Sequence, residues 1–221
     1  MCKVGEIVVV GGVRRSALIS LSNLNDDQMA HAKSGMWWEN EPQRALANNS
    51  VAYKGKPEMG TFMREWVSLY ESKSGERGIF NRQAADIQVG RNGRREQGHM
   101  WGTNPCSEIV LRPYQFCNLS EVVVRESDSL DSLKRKVRLS TILGTFQSTL
   151  TNFKYLRNIW KKNTEEERLL GVSLTGIMDH HVLSKNVDSK VWLEAMKEEA
   201  VKVNEEFAKM LDIPQSAAIT C

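Results

Sequence analysis

The chain has 221 residues, 41% hydrophobic and 26% charged, with 30 Lys and Arg against 27 Asp and Glu. That apolar share is enough to bury a core, which excludes a disordered chain, and a net charge of +3 is too small to predict a nucleic-acid partner. No apolar run approaches the roughly 18 residues of a membrane span, and the first residues lack the apolar stretch of a secretion signal. The expectation is a cytoplasmic protein with no membrane and no nucleic acid among its partners.

Gly5–Val10 is β-branched and stops at Gly11-Gly12, which predicts a buried strand running into a tight turn. Ala17–Leu21 predicts a second strand. Asn25-Asp26-Asp27 offers a helix cap and Gly35 a stop, and Asn48–Tyr53 reads as either a loop or a short strand. Met59, Phe62, Met63, Trp66, Val67 and Tyr70 recur at helical spacing, so Glu58–Lys73 is expected to form an amphipathic helix. A short helix follows over Gln83–Val89, then a loop over Gly90–Gly102. Ser107–Leu111 and Asn118–Val124 read as two short strands flanking a turn at Pro113.

Leu130–Arg157 predicts one long helix, and Leu169–Ile177 mixes strand and helix signals. Asp188 is expected to cap a final helix whose Trp192, Met196, Ala200, Val203, Phe207 and Met210 form one stripe. Ser216–Cys221 reads as a closing strand. Strands alternating with helices indicate an α/β class. A core-quality strand at each end, lacking neighbours for its edges, suggests the middle of something larger.

The chemistry concentrates in two short stretches. Pro105 restricts Asn104 to an extended backbone, and extended geometry sends alternate side chains to one face. Asn104, Cys106 and Glu108 then align an amide, a thiol and a carboxylate, and Cys117 follows eleven residues on. Two thiols with a general base on one hairpin make a redox-capable set. Taken singly, each has a plainer reading: a buried cysteine packs as a small hydrophobe, and Asn-Pro is an ordinary turn. Four cysteines without a CxxC pair, and four histidines away from zinc spacing, predict no metal site.

Asn104-Pro105-Cys106-Ser107-Glu108-Ile109 with Phe116-Cys117-Asn118-Leu119-Ser120 resembles the active-site finger loop of ribonucleotide reductase catalytic subunits. The short gap between the cysteines resembles the adenosylcobalamin-dependent (class II) enzymes more than the di-iron class. Val9–Ala17 resembles the family's second specificity loop, Ser74–Asn81 the segment before the finger loop, and Arg168–Gly176 a barrel strand with the helix start after it. The resemblance implies part of a ten-stranded α/β barrel with a central finger loop, incomplete at both ends. Residues 1–221 would be one incomplete catalytic domain.

The same resemblance implies roles. Cys106 would become a thiyl radical, Glu108 would act as base on the ribose 3′-hydroxyl, and Asn104 would orient the sugar. Cys117 would be one of two reducing thiols; Cys2 is not assigned the other. Adenosylcobalamin would be the cofactor and a ribonucleotide the substrate. A dNTP or ATP would be the effector, a thioredoxin-like protein the reductant, and the missing N- and C-terminal pieces of the enzyme its partners. Without those pieces the chain is expected to be inactive.

Gly11, Gly12, Val13, Arg14, Arg15 and Ser16 combine backbone freedom with paired guanidinium groups. On pattern alone a tight hairpin with solvated arginines is as good a reading; the resemblance implies a loop that relays effector identity to the substrate base. His180-His181, the Arg91, Arg94, Arg95 cluster and the Lys134, Arg135, Lys136, Arg138 cluster read as solvated surface. The alternative function is a non-catalytic nucleotide-binding or regulatory module.

Overall fold

In the computed structural model, the residues described are 1–10, 13–14, 16–91, 93–185 and 187–220, with backbone only for Val9, Val10, Val13, Arg14 and Lys185. They fall into two units, Met1–Arg112 and Pro113–Cys221.

In the first unit, α1 (Cys2–Glu6) precedes a small antiparallel pair, β1 (Val9–Val10) and β2 (Val13–Arg14). The strand expected over Gly5–Val10 is thus mostly helical turn. Ile7 is 77% exposed, and among the described residues β1 pairs only with β2, so the run joins neither of the larger sheets. The unit's main sheet is parallel: β3 (Leu18–Ser22), β4 (Ala47–Tyr53) and β5 (Gly78–Asn81), with β4 central. Two short helices, α2 (Asp27–Ala30) and α3 (Trp37–Asn40), lie between β3 and β4. Asp26 caps α2 as expected, its Oδ1 accepting the Met29 N–H at 3.0 Å.

The stripe read over Glu58–Lys73 is α4 (Met59–Ser72), which returns the chain to β5. The Glu58 carboxylate accepts the Gly60 and Thr61 N–H groups at 2.8 and 2.9 Å, and Lys73 ends the helix at a left-handed φ of 52°. Next come α5 (Arg82–Gly90) and a two-stranded hairpin, β6 (Gly102–Thr103) and β7 (Val110–Leu111).

The second unit is built on another parallel sheet, β8 (Asn118–Val123), β9 (Leu170–Thr175) and β10 (Ile219–Thr220), in the order β10-β9-β8. Between β8 and β9 run α6 (Leu130–Gln147) and α7 (Asn158–Glu167); α8 (His181–Lys185) and α9 (Ser189–Met210) follow β9. The core joins Val122 and Val124 to Leu133 and Val137 of α6, Leu170 and Val172 of β9, and Met196 and Ala200 of α9. Met210, the last residue of the stripe read along α9, is 70% exposed.

The single helix expected over Leu130–Arg157 stops at Gln147. There Ser148 Oγ and Thr149 Oγ1 donate to the carbonyls of Thr145 and Phe146 at 2.6 and 2.7 Å, a side-chain competition that ends helices. Arg168 Nη1 takes the freed Ser148 carbonyl at 2.6 Å. His180, read as surface, is fully buried; its Nε2 lies 2.9 Å from the Asp128 carbonyl oxygen and its ring stacks on His181. Two parallel sheets with connecting helices make the chain α/β, and the described strands form no closed barrel.

Candidate active site

The hairpin of β6 and β7 carries Asn104, Cys106 and Glu108, and its base is anchored before its tip is shaped. Trp101 is fully buried and clusters with Ala85 and Val89, with Phe80 and Val110 packed alongside. Its indole N–H donates to Asp86 Oδ1 at 2.6 Å, where the Gly98 N–H also donates at 2.7 Å. Those two bonds, the indole's first, hold the Asp86 carboxyl below its usual range. Arg82 Nε donates to the Trp101 carbonyl at 2.9 Å.

Arg95 corrects the reading of a solvated cluster. It is 8% exposed, its guanidinium lies 4.8 Å from the Trp101 ring centroid, and Nη1 donates to the Val110 carbonyl at 3.0 Å. The cation therefore secures β7.

The tip, residues 104–109, is a closed turn and not the extended stretch expected. The Ser107 N–H donates to the Asn104 carbonyl at 2.9 Å and the Asn104 N–H to the Ile109 carbonyl at 3.3 Å. Asn104 Oδ1 accepts the Ile109 N–H at 3.1 Å, and Ser107 sits at a left-handed φ of 66°. Asn-Pro is itself a turn-initiating pair, a signal outweighed in the sequence reading by proline's extended bias on its neighbour. Alternation along a strand thus does not group the three side chains; the three residues lie in one tight turn.

Within that turn, Asn104 is buried at 7% exposure with its Oδ1 committed to Ile109. Its Nδ2 makes no hydrogen bond among the described residues. Cys106 is exposed. Glu108 is half-buried, and its Oε2 is buried without a hydrogen-bond partner among the described residues. The turn thus carries an exposed thiol, a buried amide and a half-buried carboxyl, groups whose chemistry suits binding a hydroxylated ligand and exchanging protons with it.

Cys117 belongs to the second unit, so the hairpin expected to carry both thiols is not formed: β7 pairs with β6, and β8 with β9. Cys117 is half-buried at the foot of β8. The segment before it is held by α7. Gln115 Nε2 donates to Glu167 Oε2 at 2.5 Å and to the Asn163 carbonyl at 3.2 Å, and Phe116 packs on Phe153 and Trp160 with centroids 4.8 Å away.

Gly11, Gly12 and Arg15 lie outside the described residues, and Val13 and Arg14 contribute backbone to β2. Ser16 Oγ donates to the Gly5 carbonyl at 3.1 Å. Among the described residues no group of His, Cys, Asp and Glu is arranged to hold a metal ion. No helix among them is long and apolar enough to cross a membrane.

With this geometry in view, comparison with known proteins points to one class, the adenosylcobalamin-dependent ribonucleoside-triphosphate reductases. The chain is 33% identical over 185 residues to the protein of that name from Lacticaseibacillus paracasei. It is 32% identical over 191 residues to that of Lactobacillus acidophilus and 34% identical over 191 residues to that of Lactobacillus helveticus. Each match covers 80% of this chain and 23% of the relative, so the chain spans less than a quarter of the length of these relatives. No family model matches the chain, and no solved structure does. The resemblance read from the sequence is borne out: over 80% of its length the chain is similar to a segment of proteins that carry this name.

Proposed function

We propose that the chain is the central portion of the catalytic barrel of an adenosylcobalamin-dependent ribonucleotide reductase, reducing ribonucleoside triphosphates as its relatives' names state of them. The observation that carries this is the turn at residues 104–109, which presents Cys106 to solvent beside Asn104 and Glu108 in a chain similar to those enzymes over 80% of its length. Bound adenosylcobalamin supplies the one-electron oxidation of a thiol, and an exposed Cys106 on a braced turn fits the receiving end of that event.

The chain's own residues take part in the steps that follow, with the second reducing thiol supplied from outside these residues. Cys106, as a thiyl, takes the hydrogen atom from ribose C3′, and Glu108 accepts the 3′-hydroxyl proton. The 2′-hydroxyl leaves as water, two thiols deliver two electrons and become a disulfide, and Cys106 returns its hydrogen to C3′. Asn104 orients the sugar through Nδ2, since its Oδ1 is occupied within the turn. Cys117 is one of the two reducing thiols, recharged by a thioredoxin-like protein, and Gly11–Ser16 relays the identity of a bound dNTP or ATP.

The test joins the chain to the flanking segments of a lactobacillar relative and adds adenosylcobalamin, a dithiol and a ribonucleoside triphosphate. Deoxynucleotide is expected from this assembly and none from its Cys106→Ser form. Equal turnover by the two would overturn the reading in favour of a nucleotide-binding module without catalysis.

A further inference from the structure

We propose that Asn48 is a positioning residue for Cys106, acting through the peptide bond that precedes the thiol. This rests on the role given to Cys106 above. Asn48 lies on β4, the central strand of the parallel sheet, in register with Ile19 of β3. Its Nδ2 donates to the Pro105 carbonyl at 2.7 Å, across 57 residues of chain. Among the described residues, the other hydrogen bond that reaches residues 104–109 from outside them comes from the adjoining Thr103, whose Oγ1 lies 3.3 Å from Ser107 Oγ.

The need for such a bond follows from the hairpin's size. Two-residue strands give little stability of their own. Trp101 and Arg95 fix the base of the hairpin. The bonds inside the turn set its shape but leave its placement against the sheet undetermined. Asn48 supplies that placement, and the carbonyl it grips shares a planar peptide group with the Cys106 N–H. Gripping that plane restricts the Cys106 α-carbon directly. A hydrogen atom passing between sulfur and carbon requires close, fixed approach, and a displacement of about 1 Å costs on the order of a hundredfold in rate.

Asn48→Asp keeps the side chain's shape, removes its N–H donors and sets a carboxylate against the carbonyl. Asn48 is exposed, so the variant keeps its fold, which hydrogen exchange across β3, β4 and β5 verifies. In the 221-residue chain, the Ser107 and Ile109 amides should exchange about tenfold faster in the variant, the consequence of losing one hydrogen bond. In the assembled enzyme, kcat should fall about a hundredfold with KM unchanged. Unaltered exchange at Ser107 and Ile109, or an unaltered kcat, overturns the proposal, as does a rise in KM that accounts for the whole loss. Cys106→Ser, assayed in parallel, separates the two levels. If it is inactive while Asn48→Asp is normal, this inference alone falls; if it is active, the reading of Cys106 falls first.

Discussion

The two units of the chain are held together in different ways. The second has a continuous apolar core in which nine buried side chains from β8, β9, β10, α6, α8 and α9 meet Val124, just past β8. Around the hairpin of the first, the corresponding cluster is Ala85, Val89 and Trp101, and much of the definition comes from buried cations whose hydrogen bonds are directional. Arg77 and Arg95 are 3% and 8% exposed. Apolar burial stabilises without specifying direction, whereas a guanidinium fixes the groups it grips in angle and distance. The turn presenting Cys106 lies on the unit organised by direction, as the role proposed for that thiol would require.

Arg77 offers the largest test of that contrast. Its Nε and Nη2 donate to the two oxygens of Glu65 at 2.6 and 2.9 Å, and Nη1 reaches Ser22 Oγ and the Asn23 carbonyl, both at 2.9 Å. Arg77→Ala strands the Glu65 carboxylate, whose side chain is 11% exposed, and should cost about 4 kcal/mol, measured by denaturant unfolding with exchange read at β3, β4 and β5. A loss below about 1 kcal/mol would show that polar bonds do not organise this unit. In the second unit Leu133, fully buried in the core, should lose about 3 kcal/mol on replacement by Ala. If exchange in β8 and β9 stays unaltered there, packing is not what holds that sheet.

A smaller loss is expected where backbone and not side chain is constrained. Gly176 follows β9 at a φ of +78°, and a Cβ there would meet the Val124 carbonyl oxygen at 2.5 Å. Gly176→Ala should therefore destabilise the second unit by about 2 kcal/mol, seen as a lower denaturation midpoint at an unchanged slope. A midpoint within error of the parent chain would mean that this corner yields, and that the unit tolerates more than its core packing implies.

These differences also explain what could be read in advance. α4 was legible almost to the residue because its stripe, its Glu58 cap and its ending at Lys73 are all local. α6 was overextended because its end depends on hydroxyl–carbonyl bonds and on Arg168, which lies 20 residues beyond Ser148. The strand expected at Gly5–Val10 failed because β-branched runs become strands only where a neighbour accepts them. At the site, the identities of Asn104, Cys106 and Glu108 stood out through their motif, but their conformation did not. A left-handed Ser107 has no strong sequence signal, and the competing tendencies of Asn-Pro were settled by the Asn104–Ile109 bond. Asn48, Arg95 and Trp101 were missed because their importance lies in contacts made far along the chain; Asn48 read only as part of an ambiguous polar run.

The smallest expected effect distinguishes the units by pH. Asp128 accepts from Arg125 N–H at 2.8 Å, Ser132 Oγ at 2.7 Å and Lys136 Nζ at 2.6 Å. Burial alone would raise its pKa, but these donors outweigh it and lower the value to about 2 from an ordinary 3.8. Because the folded pKa lies below the unfolded one, its contribution is complete above pH 4 and disappears as pH falls toward 2. After allowance for screening by water, that is about 1 kcal/mol. Asp128→Asn removes the charge, so the variant's stability deficit relative to the parent should shrink as pH falls from 4 to 2. A deficit that stays constant over that interval would mean that Asp128 supports the start of α6 through shape and neutral hydrogen bonding, and that the second unit owes nothing measurable to this ion pair.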